Sequence, residues 1–203
     1  MPTELAEASP SKRFFMEMFT RDISLEDCIL DLVDNSIDSL IRTRKIDVSE
    51  AILDSNSDKN DGKKLKQAFD MAKIEVKLSK SEFQIIDNCG GIAWDYALEE
   101  AFRFGHRSER PEGQLGVYGI GLKRAIFKIG QDDIQIESRT VDDGFRTTID
   151  EAWLQDETNW KIPLTPIDGA GELKRAGTTI TIKGLRPEIK MRIGSGSLEK
   201  KLH

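Results

Sequence analysis

Residues 74–92 read IEVKLSKSEFQIIDNCGGI, and this stretch decides the fold class. Ile74, Val76 and Leu78 alternate with charged residues, and Phe83 and Ile85 flank Gln84. A period of two predicts half-buried strands over 74–79 and 82–87. Lys80 and Ser81 fit a two-residue hairpin turn, so the strands should be antiparallel neighbours. The second strand runs into Asp87-Asn88-Cys89-Gly90-Gly91-Ile92. An Asp here either caps its own turn or, once buried, accepts a hydrogen bond from an exocyclic amine while the glycines leave room for a flat ring.

Downstream, residues 95–104 suit a helix and 105–121 are glycine-rich and polar. They end in Gly116-Val117-Tyr118-Gly119-Ile120-Gly121-Leu122-Lys123, and 122–129 read as helical. Glycines before a helix let backbone N–H groups approach an anion, and the helix dipole favours negative charge there. The same spacing also occurs as ordinary loop glycine. It is neither a Rossmann fingerprint nor a Walker A loop. Strands are expected at 134–140, 145–150 and 178–183.

Upstream, residues 24–42 form the clearest helix. Ser24 and Asp27 make a variant capping box, and Leu25, Cys28, Ile29, Leu32, Val33, Ile37, Leu40 and Ile41 repeat as one apolar stripe. Asp27, Asp31, Asp34, Asn35 and Asp38 gather opposite it. Asp31 and Asn35, at i and i+4, are neighbours on that face. A carboxylate can orient water and an amide oxygen can ligate a hard cation, although a solvated polar face is the plainer reading. Residues 1–20 read as an arm whose Phe14, Phe15, Met16, Met18 and Phe19 either pack on the domain or bind another chain. A polar insertion spans about 43–73, the domain itself 21–185, and 186–203 are a tail or a truncation point. Consecutive hairpins with interspersed helices predict an α+β, two-layer α/β sandwich. Its sheet should be mixed and mostly antiparallel, with helices on one face.

The 203 residues suit one domain. No run approaches the roughly 20 apolar residues needed to cross a bilayer, and the N-terminus has no apolar stretch of a secretory signal. Two cysteines cannot make a disulfide framework. A cytoplasmic setting is expected, or a nuclear one if the chain is eukaryotic. With 30 Lys and Arg against 36 Asp and Glu, the net charge is −6. Nucleic acid would therefore be reached only through other domains or partners.

DLVDNSID (31–38), IIDNCGGI (85–92), GVYGIGLK (116–123) and GTTITI (177–182), in that order, resemble the GHKL superfamily of ATP-binding domains, the Bergerat fold. The wording is closer to the chaperone, MutL and microrchidia branches than to histidine kinases. The resemblance implies ATP and Mg²⁺ as cofactors. It implies Asn35 as metal ligand and Asp87 as partner of the adenine amino group, with Gly91 and Ile92 against the base. Phosphate contacts would come from Gly116, Val117, Tyr118, Gly119, Ile120, Gly121, Leu122 and Lys123, with Ser108 and Arg107 in a lid over 103–121. Asp38 would lie on the nucleotide side of the helix, and Thr179 would support the adenine pocket. Asp31 would orient the attacking water. Hydrolytic relatives place Glu there; Asp is one methylene shorter, and a displacement of about 1 Å can cost on the order of 10²-fold in rate. Cys89 stands where relatives place a glycine. The resemblance thus implies slow ATP hydrolysis with lid closure acting as a conformational or dimerisation switch toward a second copy or a partner domain. Two alternatives are a nucleotide-gated binding module without turnover and a kinase-type phosphotransferase. The latter would need its acceptor His on a partner.

Overall fold

The computed structural model describes residues 3–4, 6, 8–45, 69–104 and 120–194. The hairpin forms as expected. Strands β1 (Ile74–Leu78) and β2 (Phe83–Asp87) pair antiparallel from Ile74 opposite Asp87 to Leu78 opposite Phe83. The Ser79 N–H donates to the Glu82 carbonyl at 2.8 Å, closing the turn over Lys80 and Ser81. Beyond them come β3 (Gly130–Arg139), β4 (Asp143–Ile149), β5 (Thr165–Asp168) and β6 (Gly177–Leu185). The sheet order is β1-β2-β6-β3-β4-β5. The last long strand, β6, enters the middle and runs antiparallel to both β2 and β3. Every pairing among the described residues is antiparallel, so the expected admixture of parallel strands is not seen there.

Strand alternation sorts the side chains. Phe83, Ile85, Ile134, Ile136, Phe145, Ile149, Ile180 and Ile182 are buried on one face. Gln135, Glu137, Arg146, Thr179 and Thr181 share the other, where Arg146 and Arg139 both pair with Glu137. A fully buried Phe or Ile contributes roughly 1.5–3 kcal/mol, so this apolar face must be covered. The helices cover it. Helix α2 (Leu25–Arg44) begins in a complete Ser24/Asp27 capping box and ends at Lys45, which adopts a left-handed φ of 51°. It buries Leu25, Cys28, Ile29, Leu32 and Leu40. A turn of helix α3 (Trp94–Tyr96) runs into a π-helical turn, Ala97–Ala101, and α4 (Gly121–Ile129) lies beside α2. No helix among the described residues is long and apolar enough to cross a membrane.

Besides a 3-10 turn at Leu173–Arg175, four elements were not expected: α1 (Lys12–Thr20), α5 (Glu151–Gln155), β5 and α6 (Pro187–Gly194). Three are short, and β5 contains Pro166 at a sheet edge, where proline is tolerated. In α1 the aromatic segment packs on the domain. Met16 is buried, and Phe15 and Phe19 stack in a cluster with Phe104 and Trp160, while Phe14 and Met18 are half exposed.

Lys12 anchors α1. Its side chain is fully buried, and its ammonium donates to the carbonyls of Trp153, Asp156 and Asn159. It also lies 4.0 Å from the Trp153 ring centroid. Burial pulls its pKa below the usual lysine value, and nearby Asp156 and Glu157 partly offset this. Lys12→Met keeps the volume but strands three carbonyls. We expect a loss of about 2 kcal/mol, measured by chemical denaturation; an unchanged unfolding midpoint would contradict the anchor role.

Candidate functional site

The site grows from the end of β2. Asp87 leaves the strand half-buried, and its Oδ1 accepts from the N–H of Cys89 at 2.8 Å and of Thr178 at 3.2 Å. Its Oδ2 accepts from the Ser36 hydroxyl at 2.9 Å. Burial raises the Asp87 pKa above the ordinary carboxylate value, and the Cys89, Ser36 and Thr178 donors pull against that rise. A carboxylate with three donors on one side is held in a single orientation.

The loop that follows must lie flat against the sheet. Gly90 and Gly91 have φ of 109° and 73°. A Cβ on Gly90 would meet the Thr43 side chain at 2.2 Å, and one on Gly91 the Arg139 carbonyl oxygen at 2.3 Å. The left-handed bend falls wholly on these two residues. Cys89 keeps a negative φ, and so the departure from glycine at that position costs no backbone strain. Its thiol is buried and its pKa pushed up to about 12, first by burial and then by Asp87. A thiol held protonated is a poor nucleophile, so Cys89 packs.

Helix α2 braces this loop with small hydroxyl residues. Ser36 reaches Asp87, and Ser39 donates to the Gly91 carbonyl at 2.9 Å. The Ile92 N–H is bound by the buried Ser138 at 2.7 Å. About 7.5 Å further toward the N-terminus of α2, at 1.5 Å per residue, lies Asp31. It is half-buried, and a Cβ on Gly121 would sit 3.3 Å from its Cγ. The start of α4 therefore abuts Asp31 because residue 121 has no side chain. Burial raises the Asp31 pKa, the Arg124 guanidinium opposes the rise, and Asp34 and Asp27 add to it. Asn35 is exposed and Asp38 half-buried on the same side of the helix.

The structure thus brings Asp31, Asn35 and Asp38 along one helix, with Asp87, Gly91 and Ile92 beside its middle and Gly121 beside Asp31. Ile120 precedes α4 and accepts from the Arg124 N–H at 2.8 Å. Leu122 packs against the core. Lys123 differs from expectation: its side chain is buried and its ammonium donates to the Ala101 carbonyl at 3.0 Å, because residue 123 falls on the inward face of α4. Thr179 also differs. Strand alternation turns it to the opposite sheet face, beside Gln135, Glu137, Arg146 and Thr181. Thr178, one residue earlier, meets Asp87 instead. Ser108, Gly116, Val117, Tyr118 and Gly119, together with Arg107, lie outside the described residues.

Three braces escaped sequence reading. Ser36 and Ser39 occupy buried positions of α2, and a serine set within the apolar period was the available signal. Thr178 shares its strand parity with Ile180 and Ile182, which was enough to place it on the inner face.

Among the described residues no three acidic, His or Cys side chains converge as a metal cage. Mg²⁺ does not require one, because it keeps few protein ligands and takes the rest from phosphates and water. An exposed amide at Asn35 with Asp31 and Asp38 on its helix face suits that mode.

A helix-covered antiparallel sheet with a braced carboxylate at a strand end and a glycine-led helix opposite it defines a class of nucleotide-binding domains. Residues 23–178 match the profile of the histidine kinase-, DNA gyrase B-, and HSP90-like ATPase family, and the chain belongs to that family. Comparison with curated proteins found no match.

Proposed function

We propose that this ATP-binding domain takes up Mg-ATP, hydrolyses it slowly to ADP and phosphate, and uses lid closure as a switch for pairing with a second copy or a partner domain. The observation that carries this reading is the Asp87 carboxylate, braced by three donors beside the middle of α2, while Asp31 and Gly121 meet nearer its N-terminus. The adenine amino group donates to Asp87, the base lies against Gly91, and the phosphates extend toward the N-terminus of α4. Asn35 and the phosphates hold Mg²⁺, which offsets the charge developing on the transferred phosphoryl group. Asp31 orients a water; its raised pKa brings it nearer to a useful base. Phe104 at the start of the lid segment packs on Phe15 and Phe19 of α1. Lid movement is thereby felt by α1, whose Phe14 and Met18 face outward.

The shorter side chain of Asp31 favours a second reading, in which nucleotide gates binding without turnover. Phosphate release separates the two. Slow hydrolysis by the wild type, abolished in Asp31→Asn and raised at least about tenfold in Asp31→Glu, supports a slow hydrolytic switch. No release above the Asp31→Asn background supports the gated module. Wild-type turnover in Asp31→Asn removes Asp31 as the base. Asn35→Ala is expected to remove the Mg²⁺ dependence of ATP affinity; an unchanged Mg²⁺ dependence contradicts its ligand role.

A further inference from the structure

Helix α4 turns its first residues toward α2. Gly121 meets Asp31, where an added Cβ would stand 3.3 Å from the carboxyl carbon. Residue 124 is three positions further on, so it shares that face, and it is a half-buried arginine. The Arg124 Nε donates to the Phe19 carbonyl at 3.0 Å. Phe19 lies in the last turn of α1, where carbonyls have no donor within their own helix and the dipole favours a cation. This bond fixes a planar, permanently charged group where α1, α2 and α4 meet. The charge bears on α2. It opposes the rise in the Asp31 pKa caused by burial, and it acts in the same direction on Cys28 and Asp27.

We infer that Arg124 is a positioning residue for the hydrolytic step: held by the end of α1, its guanidinium keeps the Asp31 carboxylate in place beside the first turn of α4. This rests on the hydrolytic reading above. A triphosphate arriving at the N-terminus of α4 brings negative charge toward a carboxylate that already has Asp27 and Asp34 on its own helix. Repulsion of that kind is relieved when the side chain swings away or takes up a proton. Either outcome removes the group that orients the water. A fixed cation one turn deeper in α4 offsets the repulsion without occupying the phosphate site. The bond to Phe19 matters because an untethered arginine could follow the phosphates instead. Arg124 therefore acts through Asp31, and its contact is with α1 rather than with the nucleotide.

Arg124→Gln separates charge from packing. The glutamine Nε2 stands the same number of bonds from the backbone as the arginine Nε, so the Phe19 carbonyl keeps a donor while the charge is lost. Phosphate release at saturating Mg-ATP and calorimetric titration with ATP are measured on the full chain, with thermal unfolding as the check on folding. We expect kcat to fall about tenfold, since a displacement of about 1 Å can cost up to about 10²-fold, while ATP affinity stays within about twofold of wild type. Arg124→Lys keeps the charge and should hold kcat within about threefold. Wild-type kcat in a folded Arg124→Gln, or a tenfold loss in Arg124→Lys, would make the arginine a helix cap only and overturn the inference. So would an Arg124→Gln that does not fold while Arg124→Lys does, since the charge would then serve the fold. A matching tenfold loss of ATP affinity in Arg124→Gln would make the residue a nucleotide contact and overturn it equally. A wild type whose phosphate release does not exceed the Asp31→Asn background refutes the hydrolytic reading itself, and the inference falls with it.

Discussion

Asp87→Asn weakens ATP binding by about 100-fold while leaving the fold intact. The substitution is isosteric, so Asn Oδ1 still accepts the Cys89 and Thr178 N–H groups, at 2.8 and 3.2 Å in the native site. The Ser36 hydroxyl can rotate to accept from the new amide. What disappears is the acceptor offered to the adenine amino group. The amide meets that amine donor to donor, losing a charge-assisted bond and leaving a donor unmet, together about 3 kcal/mol. That energy corresponds to about two decades in affinity. A change within about threefold, with normal thermal unfolding, would remove Asp87 as the base-recognition group.

The same residue dictates a pH dependence. Binding needs the ionised carboxylate, and burial raises its pKa in the free protein. Wild-type affinity should therefore decline with falling pH from above the ordinary Asp value of about 3.9, and Asp87→Asn should lack this component. Folding runs the other way. A native pKa above the unfolded one means that the native state takes up the proton more readily. The destabilisation from Asp87 is thus complete above the raised value and relieved as pH falls through it.

Gly91→Ala destabilises the fold by about 4 kcal/mol, a fall in Tm of roughly 10 °C for a chain of this size. Its φ is 73°, and the added Cβ would lie 2.3 Å from the Arg139 carbonyl oxygen and 3.2 Å from that of Gly177. Both are backbone atoms of sheet strands and cannot rotate away. Gly171 is the internal control: its φ is 69° but nothing lies within 4 Å of the added Cβ. Gly171→Ala should cost only about 1 kcal/mol, the left-handed penalty alone. Equal costs at the two positions would show that the loop yields and that the close approach does not constrain it.

The sheet was legible where alternation was clean. The 74–87 hairpin and the strand at 178–183 emerge from period-two patterns bounded by turns, and α2 from its capping box and apolar period. β5 was not legible, because four residues containing a proline carry too little pattern. The helical form of α1 was not legible because Lys12, the residue that pins it, looks like a solvated surface cation until three carbonyls and Trp153 surround it. In the site, Asp87 and the Gly90–Gly91 bend could be read as chemistry only in company with the other motifs, because Asp and Gly at a strand end are ordinary turn residues on their own. The serines that brace them could not be weighed so easily, since a hydroxyl has value only through the partner the fold supplies. Lys123 and Thr179 show the limit of carrying roles over by motif position. A helix face buried one, and strand parity turned the other away.

The central claim is that this chain holds an adenine nucleotide with its base against Asp87. Calorimetric titration of the folded wild type with ATP and with ITP, each with Mg²⁺, tests it most directly. The account predicts saturable heat from ATP and none from ITP over the same concentrations. Silence with ATP, or equal binding of ITP, would contradict it.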